Sequence, residues 1–275
     1  MERQPLTSPD GVLFVPENPC GTGVLVLSGS SGRLEEQRAR MLAGHGATAM
    51  SIRWFGGPGQ QAGPYDVPLE TFIAALDDLA ARCDRLVMMG SSWGAEASLL
   101  VAAHDPRLDA VVAFAPTPVV WAGVRPDGQQ TSHWTLGGEP VPFVPYVDDW
   151  EAPDDPPAYR ELYAESLAAA SADQLAAATI PVERITGDVV LVAGGDDQVW
   201  PAMDWAPTIL DRRARHGLQT TVVTDPDAGH RTPLPRETPV SGGQTMARGG
   251  SPEADAALGH LAWPHILTAL RMSRT

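Results

Sequence analysis

Short apolar runs alternate with longer amphipathic segments along most of the chain. The runs are rich in Val, Leu and Ile, whereas the amphipathic segments repeat their apolar residues at helical spacing. Continuously apolar strands that alternate with helices are typical of a mostly parallel sheet covered on both faces, so the pattern predicts an α/β protein. The predicted strands are 24–27, 47–52, 85–89, 110–114, 189–193 and 220–223, and the predicted helices are 34–43, 69–82, 96–103 and 258–271.

Two stretches interrupt this alternation. Residues 116–157 are dense in proline, and residues 158–179 are rich in alanine with helical spacing. We expect residues 116–179 to form an insertion, or small lid, over the edge of the sheet. Residues 233–252 predict a long loop. No internal repeat or linker divides the chain, so the sequence predicts one domain over residues 1–275.

The sharpest local motif is the hexapeptide MGSSWG at residues 89–94, where a predicted strand ends and a helix begins. In a G-x-S-x-G elbow the central serine lies on a strained turn that exposes its hydroxyl. Glycine is needed two residues to either side, because a side chain there would collide with the neighbouring strand or helix. The motif therefore predicts that Ser92 is a nucleophile, against the alternative of an ordinary glycine turn.

A serine nucleophile needs a base and an orienting acid. Asp197 follows strand 189–193 in the sequence GGDDQVWP, and His230 follows strand 220–223 in DPDAGH. The order serine, aspartate, histidine is the order found in α/β-hydrolases, each member following its own strand. We predict a Ser92–Asp197–His230 triad on an α/β-hydrolase fold, with Asp196 as the less favoured alternative for the acid.

The same chemistry needs two donors for the oxyanion of a tetrahedral intermediate. One is the backbone N–H of Trp93, and we expect the second from the loop GSSG at residues 29–32, with Ser30 as its source. A dinucleotide-binding turn is the competing interpretation of this loop. It is disfavoured because the spacing is G-x-x-G and the second strand ends at Arg53 without an acidic ribose ligand.

Composition narrows the chemistry further. The 275 residues contain 34 acidic and 19 basic residues, every basic residue is arginine, and the formal net charge is −15. Without lysine the chain has neither a P-loop lysine nor a Schiff-base amine. The negative charge disfavours nucleic acid and anionic membranes as partners. Arg212, Arg213 and Arg215 form the only dense basic group along the sequence.

The cysteines and the N-terminal residues bear on the compartment. Cys20 and Cys83 are too few for a disulfide framework or a thiolate zinc site. The first residues, MERQPLTSPD, lack a basic segment followed by an apolar core, and no stretch is apolar enough for a membrane span. We expect a cytoplasmic protein with reduced thiols, and neither a metal nor an organic cofactor.

From about Gly23 to the final helix, the chain resembles the acyl-CoA thioester hydrolases and the catalytic C-terminal domain of bile acid-CoA:amino acid N-acyltransferases. These proteins are α/β-hydrolases of the dienelactone-hydrolase type. The segments that carry the resemblance are GVLVLSGSSGRLEEQRARMLAGHGATAMSIRWFGGPG, VPLETFIAALDDLA, MGSSWGAEASLLVAAHDPRLDAVVAFAPTPVVWAG, SHWTLGGEPVPFVP, PVERITGDVVLVAGGDDQVWP and GGSPEADAALGHLAWPHIL.

The resemblance implies a Ser/Cys–Asp–His triad that forms an acyl-enzyme from an acyl thioester, with Ser92, Asp197 and His230 in the three roles. The chain departs from the family in three ways. Mammalian members carry a β-sandwich domain in front, which these residues do not include. Amine-transferring members use cysteine where this chain has Ser92, which favours water as acceptor. Ser30 and Ser31 replace a glycine and a small residue in the oxyanion loop.

We therefore expect a hydrolase of acyl thioesters, with acyl-CoA preferred and an acyl-carrier protein as a possible source of the acyl group. The alternatives are an acyltransferase or cyclase that uses the same acyl-enzyme, a carboxylic ester or lactone hydrolase, and a catalytically silent binding module. The insertion and the loops at the strand ends supply the candidate residues of a substrate pocket. These are Ser31, Trp121, His133, Trp134 and Trp200.

Overall fold

A central β-sheet flanked by helices organises the protein, in a computed structural model that describes residues 1–239 and 244–272. The strands are β1 (Glu2–Thr7), β2 (Asp10–Val15), β3 (Thr22–Leu27), β4 (Thr48–Ile52), β5 (Val67–Pro68), β6 (Arg85–Ser91), β7 (Leu108–Phe114), β8 (Ala122–Val124), β9 (Gln130–Ser132), β10 (Trp134–Leu136), β11 (Glu139–Pro140), β12 (Asp188–Gly194) and β13 (Thr221–Asp225). The α-helices are α1 (Glu36–Gly44), α2 (Glu70–Ala80), α3 (Trp93–His104), α4 (Arg160–Ala169), α5 (Ala172–Ala178), α6 (Ala202–Ala214) and α7 (Pro252–Ala269).

Eight of these strands form one sheet in the order β1-β2-β4-β3-β6-β7-β12-β13. The pairs β1–β2 and β2–β4 are antiparallel, and every other neighbouring pair in this sheet is parallel. All six predicted strands lie in the parallel part, which confirms the predicted fold class. The β1–β2 hairpin was not predicted: β1 is largely exposed and carries no apolar run, whereas β2 has the buried run 11–14, which the sequence analysis did not use.

Alternate strand residues face opposite layers of helices. Leu25 and Met88 belong to a buried cluster that includes residues of α2, α3 and α6. Val24 and Val87, one position earlier, belong to the cluster beneath α1 and α7. Because side chains alternate across a strand, strands this apolar need a helical layer on each face. Because helices cover both faces of the sheet, the loops with the candidate site residues lie at the carboxyl ends of the parallel strands.

Some helices differ from the predictions in their boundaries, and helix caps and prolines lie at the points of difference. The predicted helical stretch 158–179 divides into α4 and α5, because Ser171 forms a capping box with Gln174 at the start of α5. Helix α7 begins at Pro252 rather than residue 258, capped by the Ser251 side chain. Helix α6 was not predicted, and Pro207 lies inside it.

The segment 116–179 lies between β7 and β12 in the chain and contains β8 to β11, α4 and α5. Strands β8 and β9 pair with each other, whereas β10 pairs with β11 and with β5. In the predicted loop 233–252, residues 240–243 lie outside the described residues. Within the described ranges, no helix is long and apolar enough to cross a membrane.

Candidate active site

Ser92 lies on the turn between β6 and α3, with φ 58° and ψ −124°. A positive φ is costly for a residue with a side chain, so the surrounding contacts must hold this turn in place. The N–H of Ser92 donates to the carbonyl of Phe114 at 2.9 Å, and the carbonyl of Ser92 accepts from the N–H of Ala95 at 2.8 Å. The hydroxyl group is therefore presented by a strained turn anchored on a neighbouring strand.

The two glycines of the motif are required by close backbone contacts. A Cβ on Gly90 would overlap the backbone of Gly94, and a Cβ on Gly94 would overlap the carbonyl oxygen of Ser28. The loop after β3 approaches equally closely, since a Cβ on Gly29 would lie 2.9 Å from the Cβ of Ser92. Ser30, the predicted source of an oxyanion donor, follows in this loop and lines the cavity beside Ser92.

Asp197 and His230 meet at the ends of β12 and β13. Asp197 is fully buried, and its Oδ1 accepts backbone N–H groups of Val199 at 2.8 Å and Trp200 at 3.2 Å. Its Oδ2 lies 2.8 Å from His230 Nδ1. Because a carboxylate oxygen accepts, the proton of His230 is on Nδ1, which leaves Nε2 as the basic nitrogen.

Asp196 points elsewhere. Its carboxylate accepts from the side-chain amide of Gln198 and from the N–H of Gly250, both at 2.7 Å. Among the two adjacent aspartates, the geometry therefore favours Asp197 as the partner of His230.

One cavity of about 710 Å³ brings most of the predicted site residues together. This volume is typical of small-molecule sites. The predicted site residues that line it are Ser30, Ser31, Ser92, Trp93, His133 and His230.

Three predicted pocket residues lie behind the cavity wall instead. Trp121, Trp134 and Trp200 are fully buried and do not line the cavity. The Trp134 indole N–H donates to Glu96 at 2.8 Å, and the Trp121 indole N–H donates to Thr117 at 2.8 Å. Trp200 packs edge-on against the ring of His230, with centroids 5.8 Å apart. The three tryptophans therefore lie behind the residues that line the cavity, where their large apolar rings fill the core around the site.

Tyrosines form a part of the wall that the sequence analysis did not identify. The Tyr163 hydroxyl lies 3.2 Å from both the Trp93 indole nitrogen and the Tyr146 hydroxyl, and all three residues line the cavity. Burial raises the pKa of Tyr146 well above its usual value, and that of Tyr163 is also raised, chiefly by burial. Both are neutral phenols at physiological pH and act there as hydrogen-bonding groups.

Four arginines line the cavity: Arg33, Arg38, Arg231 and Arg248. Arg38 is paired with Glu237, and Arg33 is paired with Glu35. Arg33, Arg231 and Arg248 come from distant parts of the sequence and form one group. Burial, together with the charges of Arg248 and Arg33, lowers the pKa of Arg231 to about 10. Burial and the charge of Arg33 likewise lower the pKa of Arg248. These shifts mean that the three cations repel one another, so an anionic ligand would relieve the repulsion. No sequence signal identifies this group, because its members are far apart along the chain.

The loop that follows His230 is held by a buried ion pair. Arg38 on α1 donates to Glu237 through two nitrogens at 2.7 Å and to the carbonyl of Thr232 at 2.9 Å. The two charged side chains are only 9% and 8% exposed. This pair ties the histidine loop to the helix on the same face of the sheet.

We expect Glu237→Gln to lower the free energy of unfolding by about 3 kcal/mol, because it leaves the buried Arg38 guanidinium without its counter-charge. Urea denaturation measures the change. The matched control is Asp10→Asn, which breaks the more exposed pair with Arg53 and is expected to cost less than about 1 kcal/mol. Equal losses in the two variants would contradict the prediction.

Comparison with known proteins identifies the family. The family model described as "BAAT / Acyl-CoA thioester hydrolase C terminal" matches residues 76–273. The chain belongs to this family. The predicted resemblance is thus confirmed, and the protein is of the α/β-hydrolase type.

Individual members of this family are distant in sequence. Acyl-coenzyme A thioesterase 6 of Homo sapiens is 25% identical over 93% of the chain and 61% of its own length. Acyl-coenzyme A amino acid N-acyltransferase 2 of Mus musculus is 27% identical over 93% of the chain and 61% of its own length. This member of the family thus spans about three fifths of the length of these relatives.

Solved structures show the same fold. A structure assigned as a dienelactone hydrolase, from Klebsiella pneumoniae, superposes with a TM-score of 0.54 at 17% identity, covering 95% of this chain and 93% of the other. An esterase domain from Rhodothermus marinus gives a TM-score of 0.51 at 16% identity, covering 95% and 92%. At these identities the likeness establishes the α/β-hydrolase fold of this family member.

Proposed function

We propose that the protein hydrolyses an acyl thioester through a covalent acyl-enzyme on Ser92. The observation that carries this proposal is the common cavity of the Ser92 elbow and the His230 imidazole, whose Nδ1 is bound to Asp197 at 2.8 Å. Family membership supports the thioester as the bond that is cleaved, since the family is described by acyl-CoA thioester hydrolases.

In the first half of the reaction, the Ser92 hydroxyl attacks the thioester carbonyl while His230 Nε2 takes its proton. Asp197 holds the tautomer with the proton on Nδ1 and stabilises the imidazolium that forms. The tetrahedral oxyanion lies between the backbone N–H groups of Trp93 and Ser30. The thiol leaves with the proton from His230, and the acyl group remains on Ser92 as an ester.

In the second half, His230 accepts a proton from a water molecule as that water attacks the ester. The same oxyanion donors stabilise the second tetrahedral intermediate, and Ser92 recovers its proton as the carboxylic acid leaves. No step needs a metal or an organic cofactor, because the nucleophile, base and oxyanion donors all come from the chain.

The arginines at the cavity favour a CoA thioester over an uncharged one. Arg33, Arg231 and Arg248 place three guanidinium groups at the cavity in a chain of net charge −15. Guanidinium groups bind phosphate through paired N–H donors, and CoA carries several phosphate oxygens. An acyl-carrier protein is the less favoured source, since these proteins are acidic and the chain as a whole repels them.

We expect Arg33→Gln to raise the KM for an acyl-CoA by about tenfold, because it removes one charge-assisted contact to phosphate. Steady-state kinetics with the same acyl group on N-acetylcysteamine, which has no phosphate, should show little change. Arg212→Gln is the matched control: each arginine is paired with a glutamate and about one third exposed, but Arg212 does not line the cavity. An unchanged KM for acyl-CoA in Arg33→Gln contradicts the assignment.

The proposal is tested with a panel of acyl-CoA thioesters. Thiol release is titrated, and the intact mass of the protein is measured after rapid quenching. The expected result is thiol release together with a mass increase equal to one acyl group, located on the peptide that contains Ser92. The proposal is contradicted if no thiol is released, no acyl mass increase is found and a fluorophosphonate probe does not label Ser92. That result would favour a catalytically silent binding module.

Two alternative activities, acyl transfer and ester or lactone hydrolysis, would use the same acyl-enzyme. Experiments with other acceptors and substrates distinguish them from thioester hydrolysis. Adding amine acceptors and analysing products by mass distinguishes hydrolysis from acyl transfer, which is relevant because an N-acyltransferase is among the relatives. Comparing p-nitrophenyl esters and lactones with matched thioesters distinguishes an ester or lactone hydrolase. We expect water as the acceptor and the thioester as the better substrate.

A further inference from the structure

A second carboxylate–histidine pair, Glu96 and His133, lies beside the cavity and has no part in the reaction described above. Both side chains are fully buried. Glu96 is on α3, four residues after Ser92, and His133 lines the cavity. Buried ionisable groups are rare without partners or a function, so the contacts of each atom in this pair are informative.

The Glu96 carboxylate accepts from three groups. Its Oε1 accepts the backbone N–H of Trp121 at 3.1 Å and the indole N–H of Trp134 at 2.8 Å. His133 Nδ1 lies 3.3 Å from each carboxylate oxygen. An acceptor-only carboxylate fixes the histidine proton on Nδ1. In the neutral imidazole with this tautomer, the second ring nitrogen carries no proton.

The other ring nitrogen of His133 is therefore an acceptor, and it has no partner. Nε2 is buried without a hydrogen bond to any described residue. In an imidazole this nitrogen is directed away from Nδ1, and hence away from Glu96. The ring packs 4.4 Å from the indole of Trp93, the residue after Ser92. A buried acceptor left unpaired is unfavourable, and because His133 lines the cavity, a ligand donor that reaches Nε2 would satisfy it.

We propose that His133 Nε2 accepts a hydrogen bond from a hydroxyl or N–H group on the acyl part of the substrate, so that the enzyme selects acyl groups bearing such a donor. Glu96 holds the tautomer that makes this possible. This inference rests on the proposed thioester hydrolysis and adds a determinant of specificity to it. His133 takes no part in bond making, and all reacting protons pass through His230.

The test compares three acyl-CoA thioesters of one chain length: unsubstituted, hydroxylated and O-methylated, with the substituent at the second, third or fourth carbon. We expect the hydroxylated compound to exceed the other two in kcat/KM by about tenfold at one of these positions. The methyl ether is the decisive control, because it occupies the same place and has no proton to donate.

Two substitutions of His133 separate the acceptor from the packing of the ring. His133→Asn keeps an N–H donor near Glu96 and loses the acceptor, so the preference for the hydroxylated substrate should disappear. His133→Gln extends an amide oxygen towards the former place of Nε2, so part of the preference should remain. In Glu96→Gln the amide nitrogen would donate to His133 Nδ1 and move the histidine proton to Nε2, so the same ratio should fall.

A binding measurement keeps this inference separate from the proposed function. In Ser92→Ala protein, the dissociation constants of the three thioesters are obtained from tryptophan fluorescence, since Trp93 and Trp134 flank the His133 ring. Tighter binding of the hydroxylated compound supports the inference even if turnover is absent. Equal binding and equal kcat/KM for all three at every position overturn it, as does a preference that survives in His133→Asn.

Discussion

Replacing Ser92 with alanine should lower kcat for thioester hydrolysis by about a millionfold, the scale of loss when a serine nucleophile is removed from a triad. The substitution removes the oxygen that forms the acyl bond in the proposed mechanism, and we expect it to leave the turn and the cavity in place. Thiol release with a good acyl-CoA substrate measures the rate. Adding His230→Ala to this variant should cause little further loss, because nucleophile and base act as a unit.

The neighbouring serine provides the matched control for Ser92. Ser91 is the last residue of β6, and its hydroxyl lies 3.5 Å from an Arg38 nitrogen. We expect Ser91→Ala to retain most of the activity. If Ser91→Ala lost most of its activity and Ser92→Ala kept it, Ser92 would not be the nucleophile, and the proposal would be contradicted. Thermal melting of both variants checks that each remains folded.

Replacing Asp197 with asparagine should lower kcat by roughly ten-thousandfold, the size of the effect known for a triad whose histidine is held in the wrong tautomer. The asparagine oxygen would keep the backbone N–H groups of Val199 and Trp200, which now bind Asp197 Oδ1. The amide nitrogen would then face His230 Nδ1 as a donor. This arrangement moves the histidine proton to Nε2, where it blocks acceptance of the serine proton.

Asp196→Asn is the control for this prediction, since it makes the same chemical change one residue earlier. The Asp196 carboxylate contacts Gln198 and Gly250 and does not contact His230. We expect less than about a tenfold loss of kcat. Similar losses in the two variants would mean that the tautomer of His230 is not the cause. A one-dimensional proton spectrum of the imidazole N–H region reports the tautomer directly.

Hydrophobic patterning was sufficient for the parallel part of the sheet, including its edge strand β13, and insufficient for the antiparallel edge. Six apolar runs predict the six strands from β3 to β13 that pair in parallel, because strands buried on both faces must be apolar throughout. The β1–β2 hairpin lies at the edge of the sheet, where β1 is half solvated and needs no apolar run. Its position depends on pairing with β4, which is a contact between distant parts of the chain.

The candidate triad residues could be selected from the sequence because each follows its own strand and because the motif at residues 89–94 is typical of a strained turn. The choice between Asp196 and Asp197 needed the structure, since adjacent residues point to different neighbours. Glu96 had a sequence signal that pattern analysis did not use: it is the only charged residue in the small and apolar run GAEASLLVAA at residues 94–103, all ten of which are buried in α3. Such a group must have buried partners.

The arginines also show that a sequence pattern and the folded structure point to different residues. The dense group in the sequence has structural partners, since Arg212 pairs with Glu183 and Arg213 donates to several backbone carbonyls, including those of Val182 and Gly187. Arg33, Arg231 and Arg248, which line the cavity, are far apart in the sequence and meet only in the folded protein. Local density of charge therefore did not indicate the ligand site.

The sequence by itself was sufficient for the fold class, which follows from periodicity, and for the family, which follows from the resemblance of six segments; it also supplied a candidate triad from short motifs at strand ends. The tertiary structure decided which aspartate meets His230, which tryptophans lie behind the wall, and which arginines face the cavity. It also brought Glu96 to His133 and left Nε2 of that histidine without a partner. These features depend on contacts between residues distant in the chain, and no local pattern encodes such contacts.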